Sequence, residues 1–196
     1  MEQSQIKAED IYDRKDYLTK RTQLRKEMVS RKKRRRIDVG PYVTLYFENR
    51  DTIIHQINEM VFIENGGEEQ IHEEIAAYKS LIPNGKELIA TVMVEIDNPL
   101  KRSEVLSKLG GFEETFAIKV GNNIVEGKAE LDVDRTTADG KASSVQFVHF
   151  NFNEEDIKNF KDDNVKVELA INHIEYSHST LLQLDTKSEL SGDFFI

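Results

Sequence analysis

The chain has 196 residues, of which 38% are hydrophobic and 32% are charged, a balance typical of a soluble globular protein with a core of ordinary size. It contains no cysteine, which excludes disulfide bonds, cysteine-ligated zinc, iron–sulfur ligation and thiol catalysis by the chain itself. No apolar run approaches the roughly 18 residues of a membrane-spanning helix, and the N-terminus lacks the apolar stretch of a secretory signal, so we expect a cytoplasmic protein with no membrane partner.

The net charge of −9 is unevenly distributed along the chain. Residues 1–40 carry 13 Lys and Arg against 7 Asp and Glu, a net charge of +6, whereas residues 41–196 carry 14 against 29, a net charge of −15. We therefore predict a basic N-terminal helical arm, residues 1–40, followed by a single α+β domain, residues 41–196. Such a basic segment is typical of an arm that binds nucleic acid, of a surface that binds an acidic partner, or of a helix packed against its own acidic domain.

The N-terminal segment predicts one long helix from Asp13 to Arg36, because it has no Pro or Gly and is rich in Lys, Arg, Glu, Gln and Leu. Its last turns carry the run RKKRRR, residues 31–36, whose positive charges complement the negative end of the helix dipole. Gly40 and Pro41 then end this segment.

The next segment predicts a strand followed by two helices. Val43–Phe47 is rich in β-branched and aromatic residues, which indicates a strand. Asn49 or Asp51 can cap the following helix, in which isoleucines recur at helical spacing. Gly66 and Gly67 separate it from a second helix that begins with acidic residues.

The rest of the chain contains two units of strand, short capped helix and strand, at residues 87–120 and 145–173. Asn122 and Asn123 indicate a hairpin turn between the units, and HSTLLQL near the end indicates an edge strand. The predicted fold class is α+β: a mostly antiparallel sheet of about five to seven strands with helices on one face, preceded by the long N-terminal helix.

The sequence FENRDT, residues 47–52, places Glu48, Asn49, Arg50 and Asp51 at the predicted strand-to-helix junction, where loop residues commonly bind ligands. A carboxylate, an amide and a guanidinium this close together suit a polar ligand. The alternative is structural, with an N-cap for the helix and an arginine paired with a nearby acid. The candidate ligand-binding or interaction residues are Glu48, Asn49, Arg50 and Asp51, joined by His55, Gln56 and Glu59 on the helix that follows.

That helix also carries a spaced polar pair. His55 and Glu59 are four residues apart and therefore share one helix face, which suits two metal ligands or an acid–base pair. No third ligand lies close in sequence, so the same spacing also fits an ordinary surface pair.

Three histidines near the C-terminus suggest a second hypothesis for a metal site. If the strands that carry His149 and His173 were neighbours, the two imidazoles would approach each other and bind a divalent metal such as zinc together with Glu175 or His178. The alternative is a half-buried histidine and a solvated loop, because histidine is an ordinary residue of half-buried sheets.

The basic run allows two kinds of partner. Its positive charges would neutralise nucleic-acid phosphates, with binding that weakens strongly as salt rises. It lacks interleaved aromatic residues, however, and no recognisable nucleic-acid-binding fold follows it, so nucleic acid is not the expected partner. The alternative is a solvated helix end that faces an acidic surface, on its own domain or on a partner. The candidate basic surface consists of Lys32, Lys33, Arg34, Arg35 and Arg36.

Several motifs together resemble a bacterial family of uncharacterised proteins, domain of unknown function 3501, over nearly the whole chain. They are VGP at residues 39–41, the FENRDT sequence, QINEM at residues 56–60, IP at residues 82–83 and VHF at residues 148–150. No activity comes with this family. The resemblance implies genomic neighbours, namely rubrerythrin-like proteins and iron–sulfur oxidoreductases related to heterodisulfide reductase subunits.

We therefore predict an accessory or interaction subunit of an iron–sulfur or rubrerythrin-linked redox system, with no cofactor of its own. It would bind its partner through the basic run and the FENRDT junction, and the lack of cysteine fits because the redox centres would then lie on the partner. Two alternatives stay open: an enzyme or small-ligand-binding protein with a polar pocket at the junction, and a nucleic-acid-binding protein.

Overall fold

The computed structural model describes residues 5–130, 136–137 and 140–195. The strands are β1 Arg36–Val39, β2 Val43–Glu48, β3 Glu87–Val94, β4 Phe116–Val120, β5 Asn123–Ala129, β6 Val145–Asn151, β7 Val167–His173 and β8 Tyr176–Leu181. The α-helices are α1 Arg14–Arg34, α2 Arg50–Glu64, α3 Glu68–Tyr78, α4 Pro99–Leu106, α5 Glu154–Lys161 and α6 Leu184–Ser191.

The strands form one sheet in the order β1-β2-β3-β6-β5-β4-β7-β8, and every neighbouring pair is antiparallel. The two edge strands approach each other through side chains of β8. The Tyr176 hydroxyl donates a hydrogen bond to the Val39 carbonyl at 2.8 Å, and the Thr180 hydroxyl donates to the Asp38 carbonyl at 2.7 Å. The sheet is therefore an antiparallel, nearly closed barrel, which confirms the predicted antiparallel pairing and adds the curvature.

The barrel interior holds the main hydrophobic core, because alternate side chains of each strand point inward. One end is filled by Phe152, Phe160 and Phe194, whose rings pack edge to face with centroids 4.9–5.7 Å apart. Helices α5 and α6 belong to this end, since Phe160 lies on α5 and Leu190 of α6 joins the same core.

A second, smaller core lies outside the barrel. Ile53 and Ile57 of α2 pack there against Ile89 of β3, with α3 beside them. The prediction of helices on one face thus holds in part, because α2 and α3 cover an outer face of the sheet whereas α5 and α6 contribute to the interior core.

Helix α1 begins after Asp13, whose side chain accepts from the backbone N–H groups of Lys15 and Asp16, and it ends at Arg34. The predicted helix extended to Arg36, but that residue begins β1, a short strand that the sequence analysis did not predict. Helix α6 was not predicted either.

No helix in the described ranges is both long enough and apolar enough to cross a membrane. The division into an arm, residues 1–40, and a domain, residues 41–196, stays a prediction.

Candidate functional site

The FENRDT junction lies where β2 leads into α2. Asn49 caps the helix, since its Oδ1 accepts from the Thr52 N–H at 3.0 Å while its own N–H donates to the Thr52 hydroxyl at 2.9 Å. Glu48 is buried and accepts from the hydroxyls of Thr52 and Thr91 at 2.6 and 2.9 Å. These two polar side chains are therefore satisfied by internal hydrogen bonds.

Arg50 and Asp51 attach the N-terminal segment to this junction. The Arg50 guanidinium pairs with Asp10 at 2.6 Å and donates to the Gln5 carbonyl at 2.9 Å. Asp51 pairs with Arg31 of α1. The four junction side chains have different internal partners, as the structural alternative predicts. Asn49, Arg50 and Asp51 also line a cavity of about 280 Å³, together with Pro83, Gly192, Asp193 and Phe195.

Glu59 anchors α1 to α2. Its carboxylate accepts from the Tyr17 hydroxyl at 2.7 Å and from two nitrogens of Arg21 at 2.8 and 2.9 Å. The Arg21 hydrogen bonds lower the pKa of Glu59 to about 2, and burial together with Glu59 raises the pKa of Tyr17. Both Glu59 oxygens are thus occupied, so the structure does not present His55 and Glu59 as a free pair of metal ligands.

Because Glu59 anchors α1 to α2, we predict that the protein loses stability in acid. Because the pKa of Glu59 is lowered from 4.5 to about 2, its contribution to stability is complete above pH 4.5 and is lost as the pH falls toward 2. We expect the difference in unfolding free energy between the native chain and Glu59→Gln to shrink by about 1–2 kcal/mol between pH 6 and about pH 2.5, measured by urea titration. A difference that stays constant across this window would contradict the assignment.

In the basic run, residues 31–36, the arginines are paired with acidic residues, whereas the lysines are not paired within the part of the chain that the structure describes. Arg31 pairs with Asp51, Arg34 with Glu189 at 3.0 Å, and Arg36 with Asp38 at 3.0 Å. The prediction that Arg35 belongs to a basic surface is wrong, because only 1% of Arg35 is exposed. In contrast, the side-chain ammonium groups of Lys32 and Lys33 make no hydrogen bond or ion pair with the described residues.

Arg35 is buried because it joins the end of α1 to β2 and to the C-terminal segment. Its guanidinium donates to the carbonyls of Phe47 and Glu48 at 2.9 and 3.2 Å and pairs with Asp193. Burial raises the pKa of Asp193, and the neighbouring Arg35 opposes that shift. Such a buried charge requires a charged partner, so this arginine serves the fold.

The unpaired cations border a cleft of about 550 Å³ between α1, α2 and the edge of the sheet. His55 lies at the seam of the two helices. Burial lowers the pKa of its imidazole, Glu59 opposes that shift, and Lys32, Arg25 and Arg21 add to it. Glu59 also lines the cleft, but Arg21 neutralises it. We call this the cationic cleft; its lining residues are Arg25, Met28, Val29, Lys32, Lys33, Arg36, Tyr46, His55 and Glu59.

Some of these residues were not among the sequence-predicted sites. Arg25, Val29 and Lys32 recur at i, i+4 and i+7, so helical periodicity places them on one face of α1. Tyr46 alternates with inward-facing Leu45 and Phe47 on β2, which places it on the outer face. Sequence periodicity thus identifies both faces, one on α1 and one on β2, but only the tertiary structure shows that they meet.

The three C-terminal histidines do not converge. Strand β6 pairs with β3 and β5, so β5 and β4 separate His149 from His173 on β7. His173 accepts from the Glu175 N–H at 3.2 Å through Nδ1 and donates to the Gly110 carbonyl at 3.2 Å, while the His178 ring packs on Tyr176. The adjacency on which the metal hypothesis depended is therefore absent, and the described part of the chain contains no group of three or more His, Asp or Glu residues arranged to hold a metal ion.

His149, which is half-buried, instead contacts two carboxylates. Its Nδ1 lies 3.4 Å from Glu87 and its Nε2 lies 3.5 Å from Glu130. The hydrogen bond with Glu87 raises the pKa of His149 against the opposing effect of burial. The imidazole therefore links β3, β6 and the end of β5.

Comparison with known proteins places this architecture in a family. A family model described as "Protein of unknown function (DUF3501)" matches residues 5–194. The chain belongs to this family. Among solved structures, this DUF3501 protein is similar to a novel protein of unknown function from Burkholderia pseudomallei K96243, with 28% sequence identity and a TM-score of 0.89 over 97% of this chain and 99% of that one. A search of curated proteins finds no match to the DUF3501 chain.

Proposed function

We propose that this protein is an accessory subunit that binds an acidic surface of a partner protein through the cationic cleft. The partner proposed from the family resemblance is an iron–sulfur oxidoreductase or a rubrerythrin-like protein. The observation that carries the proposal is the set of cations Arg25, Lys32 and Lys33, which border the cleft without an ion pair to the described residues. Unpaired surface cations beside a concave apolar floor are available to a partner's carboxylates.

The charge of the rest of the chain supports this proposal. Residues 41–196 carry a net charge of −15, so an acidic partner is repelled by most of the body and attracted only near α1. This contrast in charge orients the partner as it approaches, because the electrostatic field of the protein draws a negative patch toward the cleft and away from other faces.

The same contrast disfavours a long polyanion. Arg31, Arg34 and Arg36 are already paired with acids of the body, which leaves few cations for phosphates. A nucleic acid extending beyond the cleft would meet the acidic body, whereas a compact acidic patch on a protein would not. A docking function therefore fits the charge layout better than nucleic-acid binding.

Reversing the free charges tests the proposal. We expect Lys32→Glu combined with Lys33→Glu to weaken binding of a purified iron–sulfur oxidoreductase or rubrerythrin-like partner by about tenfold or more at low salt, since each reversal replaces attraction with repulsion. The affinity of the native chain should fall as salt is raised. Both are measured by isothermal titration calorimetry, after the partner has been identified by co-purification at low salt and by its iron content.

A matched control separates local from total charge. Lys158→Glu combined with Lys166→Glu changes the net charge equally at two exposed positions outside the cleft and should leave the affinity nearly unchanged. Equal weakening by both double variants, or no partner of these two classes at low salt, would overturn the proposal.

A further inference from the structure

A second cavity, of about 360 Å³, adjoins the cationic cleft, because Lys32 and Tyr46 line both. It lies between α2, the segment after α3 and the outer face of the sheet. We call it the apolar cavity; its lining residues are Lys32, Tyr46, Glu48, Ile53, Gln56, Tyr78, Leu81, Thr91, Met93 and Phe147.

The floor of the apolar cavity is built by strand register. Tyr46 of β2 stands opposite Thr91 of β3, which in turn stands opposite Phe147 of β6, so these three side chains form one row across the outer face. Met93 belongs to the next outward-facing row of β3, because side chains on one face recur every second residue. These large apolar side chains are only half-buried.

Helices α2 and α3 cover only part of this face. Ile89, on the row beyond Thr91, is fully buried under Ile53 and Ile57, and Phe147 packs against the same core, whereas Tyr46 and Met93 are only half-buried. Glu48 reaches the cavity but already accepts from Thr52 and Thr91, so it does not require a cation there. The cavity is therefore an apolar recess with a positive charge, Lys32, at its boundary.

We propose that the apolar cavity takes one large apolar side chain, aromatic or branched aliphatic, from the same acidic partner segment that binds the cationic cleft. This inference rests on the proposed docking function. Charge complementarity selects the segment, because the segment's carboxylates bind Arg25, Lys32 and Lys33 in the cationic cleft. An apolar side chain that lies between those carboxylates in the segment enters the adjacent apolar cavity. Interfaces commonly gain most of their affinity from such a buried anchor beside weaker charged contacts.

Short peptides test this inference with the full chain. The probe is a fluorescein-labelled peptide of about ten residues, rich in Asp and Glu, with one central phenylalanine. A second peptide replaces that phenylalanine with alanine. We expect the phenylalanine peptide to bind about tenfold or more tightly by fluorescence anisotropy, because burying one aromatic side chain accounts for at least that ratio.

A cavity-filling variant identifies the site. Gln56→Trp places a large ring in the cavity lining and should remove the preference for phenylalanine, whereas His72→Trp, at an exposed position of α3 that does not line the cavity, should preserve it. Circular dichroism and thermal unfolding establish that both variants fold.

The outcomes separate this inference from the docking function. Equal binding of both peptides, weakened by Lys32→Glu with Lys33→Glu, would overturn the anchor and leave acidic docking intact. A phenylalanine preference that survives Gln56→Trp would also overturn it, since the side chain would then bind elsewhere. Binding of neither peptide would overturn the anchor too, while the docking function would still be judged by its protein partner.

Discussion

Replacing Arg35 with alanine is expected to lower the free energy of unfolding by about 3–5 kcal/mol, the usual cost of removing one partner of a buried ion pair. The change leaves the Asp193 carboxylate, 6% exposed, without its guanidinium. It also removes the donors to the carbonyls of Phe47 and Glu48. Urea titration followed by circular dichroism measures the loss, which is large compared with the stability of an ordinary domain.

Two further variants determine whether burial causes this effect. Arg34→Ala removes the neighbouring guanidinium, which is half-exposed and paired with Glu189, and should cost about 0–1 kcal/mol. Arg35→Met combined with Asp193→Asn removes both charges and should be less destabilised than Arg35→Ala, because no buried charge is left uncompensated. Similar losses for Arg34→Ala and Arg35→Ala would contradict the buried ion pair.

The contrast between Arg34 and Arg35 also shows what the sequence cannot specify. Arginine is usually exposed, so six consecutive basic positions predict a solvated surface. The acids that hold Arg34 and Arg35 lie about 155 residues later in the chain, at Glu189 and Asp193, and no local pattern indicates them. Their pairing becomes visible only when α6 and the C-terminal segment fold back onto the end of α1.

Local signals, in contrast, predicted the elements around the junction well. Asn49 caps α2 as one of the two residues proposed for that role, and Ile53 and Ile57 are buried as their helical spacing indicated. Short-range chemistry determines such features. The same reasoning does not distinguish the two roles considered for the junction, because a capping amide and a ligand-binding amide have the same sequence.

Sheet order depends on long-range pairing, which local sequence patterns do not determine. Periodicity identified most strands but not which strands are neighbours. The hairpin β4–β5 lies between β6 and β7, so His149 and His173 stay apart although their strands follow each other in the predicted unit. The closure of the barrel likewise depends on contacts between its first and last strands.

Tyr176→Phe is expected to weaken this closure and to lower the free energy of unfolding by about 2–4 kcal/mol, because a buried N–H or carbonyl left without a partner is costly. The Tyr176 hydroxyl accepts from the N–H groups of Tyr42 and Val43 at 3.0 and 3.2 Å and donates to the Val39 carbonyl at 2.8 Å. Phenylalanine keeps the ring that packs on Phe112 but removes all three hydrogen bonds. Thermal and urea unfolding measure the loss.

Tyr42→Phe is the matched control for this prediction. Tyr42 lies at the same end of the barrel with its ring 6.4 Å from that of Tyr176, yet its hydroxyl makes no hydrogen bond to the described residues. Its removal should change the stability by no more than about 0.5 kcal/mol. Hydrogen exchange adds a local readout, since the Val43 N–H should exchange faster in Tyr176→Phe and not in Tyr42→Phe. If both variants were equally stable, apolar packing and not this hydroxyl would close the barrel between β1 and β8.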